Sequence, residues 1–224
     1  MLVTFSGIVG SGKSTNAKRA MRVMQELGFT PYYLRFRFVG WRDLFRSPVQ
    51  QPWAPRAELK SATSNLPAMN GQAKRRLEVD KRMNLMVVLG YLLHILRFRL
   101  FLSLYHRQHL VVLNRYFYDN FAHYRITTPA ERRYLRFLLT AMPQPDLAFL
   151  MVTHPDTAFY RRPEYHREEL QKISENYAQM RQLDSRLTVI ATDNVSTVDS
   201  QIERSIRAVF HQMQMRPHEE RIAS

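Results

Sequence analysis

The sequence predicts an α/β fold: a parallel five-stranded sheet with helices on both faces. Three observations carry that expectation. Short apolar runs at 2–5 (LVTF), 109–114 (HLVVLN) and 146–152 (DLAFLMV) read as strands buried on both faces. Longer segments with helical character separate them, the pattern of parallel strands joined by crossover helices. The length, 224 residues, suits one domain spanning 1–224.

The elements follow in order. A glycine-rich turn comes after the first strand, and Ser14 to Leu27 reads as a helix that Gly28 stops. Residues 30–38 (TPYYLRFRF) are β-rich with alternating arginines. Four prolines and little periodicity make 40–72 a long excursion from the core, with Trp41 and Trp53 pinning it or stacking on a base. Ala73 to Arg107 reads as a helix with a bend at Gly90. Its stretch 85–105 is long enough to mimic a membrane span, but Arg97 and Arg99 are costly in hydrocarbon. The expectation is a buried helix whose arginines reach a wet cleft, with no membrane span. Thr128 starts a helix over Pro129 to Met142, Glu164 to Leu183 forms a charged helix, 186–191 is the last strand and Thr197 to Gln214 the last helix.

Composition narrows the function. With 45 % hydrophobic and 23 % charged residues, the chain is neither disordered nor collagen-like. The absence of cysteine removes disulfides, thiolate zinc sites and a cysteine nucleophile. Met1 to Phe5 is too short an apolar run for a signal peptide, so a cytoplasmic location is expected. The formal net charge of +14 calls for anionic company, and the cations are mostly arginines, whose planar fork clamps phosphate well. Runs such as Lys74-Arg75-Arg76 also fit a solvated helix face.

The turn after the first strand reads Gly7-Ile-Val-Gly10-Ser11-Gly12-Lys13-Ser14, the G-x-x-x-x-G-K-S pattern between a strand and a helix. The chemistry explains the spacing. Glycines let successive N–H groups turn inward onto phosphate oxygens, and the following helix adds its positive end. Gly7, Gly10, Ser11, Gly12, Lys13, Ser14 and Thr15 are therefore the predicted nucleotide-binding residues, in a three-layer P-loop NTPase fold. Lys13 is expected to point into the site and bridge the β- and γ-phosphates, while the Ser14 hydroxyl ligates Mg²⁺, so ATP and Mg²⁺ are the expected ligands. No guanine-reading NKxD tetrapeptide accompanies the loop, which weighs against a GTP switch. The strand at 109–114 ends in Asn114-Arg115-Tyr116, at the sheet edge where open α/β folds bind ligands.

Here the sequence resembles the thymidylate kinase family, in which the corresponding strand ends in Asp-Arg-Tyr followed by a small polar residue, an alanine and aromatics. Arg115, Tyr116 and Ala122 match, with Asp119 or Asn120 at the small polar position. Residues 145–170 resemble the family's strand, proline, short helix and arginine-bearing lid, with Arg161 and Arg162 at the lid arginines and the lid region at 155–175. Tyr177 stands at a helix aromatic, and 191–202 resembles the adenine-contacting loop. The resemblance implies a nucleoside monophosphate kinase. Lys13, Arg115, Arg161 and Arg162 would then act in transfer. Arg35 or Arg37 would help clamp the acceptor, and Asn114, Tyr116, Asn120 and Tyr124 would face it.

Three departures stand beside it: Ser6, Asn114 and Val152 occupy positions where the family carries acids, and His123 and Tyr124 replace its thymine-reading pair. Two other readings therefore stay open: a nucleotide-binding regulatory or nucleic-acid-associated protein with little turnover, and a kinase for a non-nucleotide acceptor. The expected partner is a small phosphorylated acceptor, with nucleic acid not favoured and a homodimer left open.

Overall fold

The structure, a computed structural model, describes residues 1–35, 51–52, 77, 79, 81–105 and 110–222. Strands β1 (Leu2–Gly7), β2 (Tyr32–Arg35), β5 (Val111–Asn114), β7 (Leu147–Val152) and β8 (Leu187–Ala191) form the predicted five-stranded parallel sheet, in the order β2-β5-β1-β7-β8. A sixth strand, β3 (Gln51–Pro52), pairs antiparallel with β2, so the 40–72 excursion contributes an edge strand. The rest of the excursion, including Trp41 and Trp53, lies outside the described residues, as do Arg37 and Lys74 to Arg76.

The sheet separates two apolar layers, because side chains alternate across a strand. Leu2, Leu113 and Leu150 point to one side, and Val3, Phe5, Val112 and Phe149 to the other. The second side is covered by α1 (Lys13–Glu26) and α7 (Val195–Ile222). The first is covered by α2 (Leu85–Tyr105), α3 (Phe117–Phe121), α4 (Pro129–Ala141), α5 (Pro155–Arg161) and α6 (Arg167–Leu183). All six residues of β1 are buried, as its unbroken apolar run predicts for a central strand.

Local chemistry sets most of the ends. Gly28 takes a left-handed φ of +86° after α1. Thr128 accepts a hydrogen bond from Glu131 N, and the Glu131 carboxylate in turn accepts from Thr127 N and Thr128 N at 2.9 Å. Those backbone bonds hold the Glu131 carboxyl below its ordinary value.

The predicted helix over Ala73 to Arg107 is corrected at its start. Lys81–Arg82 form a short strand, β4, parallel to β6 (Tyr124–Arg125), and α2 begins only at Leu85. Asn84 accepts from Val87 N there, giving the helix a polar start that the apolar pattern hides. α2 runs through Gly90 unbroken. It is also not the buried helix expected: it is long and apolar enough to cross a membrane, yet only 28 % of that window is buried. Arg99 is exposed and donates to the Ala141 carbonyl at 3.0 Å, and neither Arg97 nor Arg99 lines the cleft described below.

Candidate functional site

At the carboxyl ends of β1 and β5 lies a cleft of about 660 Å³. Its position follows from the topology. From β5 the chain crosses over β1 to reach β7, which leaves a crevice where the direction of winding changes.

The loop 7–12 forms its floor. Gly7 has φ +144°, and a Cβ there would sit 2.3 Å from the Met151 carbonyl oxygen of the neighbouring strand. Gly10 has φ +85°, and a Cβ would come within 2.9 Å of the Ala158 carbonyl of α5. Only glycine meets both demands at these two positions. The Tyr177 hydroxyl of α6 pins the loop from below, accepting from Gly7 N at 3.1 Å and donating to Gly7 O at 3.3 Å. Burial, and then the Asp119 charge, raise the pKa of Tyr177 well above tyrosine's ordinary value, so the hydroxyl keeps its proton.

Lys13 opens α1 and is almost fully buried. Its ammonium donates to the carbonyls of Gly7 at 2.6 Å and Ile8 at 2.7 Å and lies 4.0 Å from an Asp119 oxygen. The side chain, expected to point into the site, also serves a structural purpose there. It lines the cleft while bracing its own loop. Asp119 in turn accepts from Tyr116 N at 3.0 Å and caps α3. Sequence reasoning set Asp119 at a small polar position and missed this carboxylate beside Lys13. The available signal was its isolation, since no acidic residue stands between Asp80 and Asp119.

The strand end of β5 meets the start of α1. The Asn114 amide donates to the Ser14 hydroxyl at 2.8 Å and to the Tyr33 hydroxyl at 2.7 Å. Arg115 follows with φ +80°, the one non-glycine residue in the left-handed region among the described residues. That conformation costs roughly 1–2 kcal/mol and turns the arginine out of the strand direction toward the cleft it lines. From α5, Arg161 donates to the Gly10 carbonyl at 3.1 Å, and Arg162 lies 3.5 Å from Glu164. Thr192, Val195 and Val198 close the other side, within the segment 191–202.

So the structure brings together Gly10, Ser11, Gly12, Lys13, Ser14, Thr15, Asn114, Arg115, Arg161 and Arg162 around one space, with Gly7 beneath them. Five cations line it (Lys13, Arg19, Arg115, Arg161 and Arg162) against one described acid, Glu164. A site of that sign attracts anions.

Other predicted residues lie elsewhere. Tyr116 is fully buried in the core, where its hydroxyl donates to the Pro143 carbonyl, and this corrects its assignment to the acceptor. An aromatic two residues past a buried strand completes the core layer under the cleft. Asn120 and Tyr124 are half-buried and do not line the cleft; the Tyr124 ring packs edge-on against Tyr91. Arg35 is in register with Asn114, at the correct strand end. Of the three positions lacking an acid, Ser6 is buried with an unpartnered hydroxyl, Asn114 bonds Ser14, and Val152 is exposed at the end of β7. No group of three metal-ligating side chains forms among the described residues. Mg²⁺, however, often takes few protein ligands and completes its shell with phosphates and water, and the exposed Ser14 hydroxyl suits that role.

No family model matches this chain, and no curated protein does.

Proposed function

We propose that the chain is an ATP-dependent phosphotransferase of the P-loop class that moves the γ-phosphoryl of ATP onto the phosphate of a nucleoside monophosphate. One observation carries the reading: a G-x-x-x-x-G-K-S loop, three left-turning glycines and five cations converge on one cleft at a winding switch point. The resemblance of Arg115, Arg161 and Arg162 to thymidylate-kinase positions supports the choice of reaction.

Each residue's part follows from its chemistry. The loop amides and Lys13 hold the donor phosphates, which means that the Lys13 ammonium exchanges loop carbonyls for phosphate oxygens on binding. Ser14 would hold Mg²⁺, which when bound neutralises phosphate charge. Arg115 clamps the acceptor phosphate with its planar fork. Arg161 and Arg162, on the segment 155–175 that acts as a lid, stabilise charge on the group in transit. The acceptor's phosphate oxygen forms the new bond to phosphorus as the bond to ADP breaks, and positioning with charge supplies the rate.

A second reading has its own observation. Glu164, the one acid among the described lining residues, lies beside Arg162, and Asn114 stands at the strand end without charge. That arrangement favours a nucleotide binder with little turnover. The deciding experiment is a coupled ADP-release screen of Mg-ATP with nucleoside monophosphates, nucleosides and sugar phosphates. The kinase reading expects at least one monophosphate to raise turnover above the acceptor-free rate. No acceptor raising it, with Mg-ATP still bound, leaves the binder.

A further inference from the structure

A second concavity, of about 400 Å³, lies between α6 and the strands β7 and β8. It shares no lining residue with the cleft, and the loop 7–12 is the partition: Val9 lines the cleft, and its neighbour Ile8 lines the second space. The volume falls at the lower end of the roughly 300–1,000 Å³ that small-molecule sites occupy. Leu150, Val152 and Val189 give it an apolar wall on the sheet side. From α6 come Ser174, Tyr177, Ala178 and Arg181, whose spacing puts them on one face of the helix.

Two polar features point to a ligand. Arg181 is exposed, has no carboxylate partner among the described residues, and no acid lines the space with it. Thr153 also lines it, is 2 % exposed, and carries a hydroxyl without a hydrogen-bond partner among the described residues. A buried hydroxyl normally has one. One cation suits a single negative charge, where the five of the cleft suit a polyphosphate. The same walls hold the loop. The Tyr177 hydroxyl accepts from Gly7 N at 3.1 Å, the Ile8 carbonyl accepts from Lys13 at 2.7 Å, and the Met151 carbonyl lies against Gly7.

We propose that this second space is an effector site for a small monoanion with an apolar body, of the class of medium-chain carboxylates, and that its occupancy steadies the loop through Tyr177. A ligand packed on the Tyr177 ring orders the contact with Gly7 before the cleft fills, so an anion entering the cleft gives up less freedom. The ligand site is independent of what the cleft binds, whereas the effect on ATP affinity rests on the nucleotide reading.

Calorimetric titration with octanoate tests the site, with octanol as the uncharged probe. The native chain is expected to bind one octanoate saturably and octanol about tenfold more weakly. Arg181→Gln should weaken octanoate by about the same factor. Ala178→Trp, at an exposed position on the wall, should fill the space and abolish binding while melting stays cooperative. No saturable heat with the native chain would overturn the site. So would equal affinity in the native chain and both variants, since octanoate would then be held elsewhere, for example on the exposed face of α2. Hydrogen exchange of peptides covering 7–12 reads the coupling. Octanoate should slow it in the native chain and leave it unchanged in Tyr177→Phe, which keeps the ring and loses the hydroxyl. Unchanged exchange in the native chain would overturn the coupling. At saturating octanoate the affinity for Mg-ATP should rise about fivefold, and ATP bound with unaltered affinity would also overturn the coupling. No ATP heat at all, with octanoate binding and slowed exchange intact, would sustain the effector site and refute the nucleotide reading instead.

Discussion

The contact between Asn114 and Ser14 makes a prediction about magnesium. The Asn114 amide donates to the Ser14 hydroxyl at 2.8 Å and to the Tyr33 hydroxyl at 2.7 Å. An N–H aimed at Ser14 occupies a lone pair that a metal ion would otherwise take. Asn114→Asp reverses both bonds: the two hydroxyls donate to the new carboxylate, and the Ser14 oxygen keeps its lone pairs for the cleft. The side chain is 4 % exposed and sits among cations, so the added interaction is of the charge-assisted kind, about 1.5–3 kcal/mol. That corresponds to about a 10- to 150-fold fall in the magnesium concentration giving half-maximal ATP affinity. Calorimetric titrations of ATP at a series of magnesium concentrations read it, and the magnesium dependence of kcat reads it again in an active enzyme. An unchanged magnesium midpoint with weaker ATP binding would refute the reasoning. It would mean that the neutral amide is there to avoid repelling an anion.

The other expectations concern the same loop and the acid limb of stability. Lys13→Met keeps the stem but removes the donor to the Gly7 and Ile8 carbonyls. It should abolish saturable ATP binding and lower stability by about 1–3 kcal/mol in urea unfolding, and unchanged ATP affinity would contradict it. Arg115→Gly relieves the left-handed φ, so its melting temperature should hold or rise while the acceptor KM climbs; a large loss of stability would show that the arginine braces the core. Gly10→Ala drives a Cβ to 2.9 Å from the Ala158 carbonyl and should displace α5 and weaken ATP binding at least tenfold, a loss that calorimetry would detect. Burial alone would raise the Asp184 carboxyl, but hydrogen bonds from Arg186 at 2.6 Å and Tyr118 at 2.9 Å outweigh it and leave the pKa below the ordinary value. Its stability contribution is therefore full above the unfolded value near ~3.9 and lost as pH falls through the lower folded value. Asp184→Asn should unfold more easily at pH 7 and show a flatter acid limb; a parallel limb would contradict this.

The five parallel strands and the glycine loop were legible because their signals are local. Apolar runs of strand length and a G-x-x-x-x-G-K-S spacing need no partner to be recognised. Convergence of Asn114 and Arg115 on the loop was legible because strand ends in a parallel sheet share an edge. What escaped depended on contacts distant in sequence. Tyr116 reads as a site residue beside Arg115, yet the β5 exit turns it inward onto Pro143, 27 positions later. Tyr177 reaches Gly7 across 170 positions, and Asp119 approaches Lys13 only once α3 packs on β1. The apolar pattern of α2 could not reveal that Met86, Leu89, Leu93, Leu96 and Leu100 stay exposed, because apolar composition alone does not say which face the core covers.

The central claim is that the loop 7–14 is a nucleoside triphosphate site. The most direct measurement is a calorimetric titration of the native chain with Mg-ATP, repeated with Lys13→Met. The expected result is saturable binding of one nucleotide per chain to the native protein and none to the variant. Absence of saturable heat with the native chain, or the same affinity in both, would contradict it.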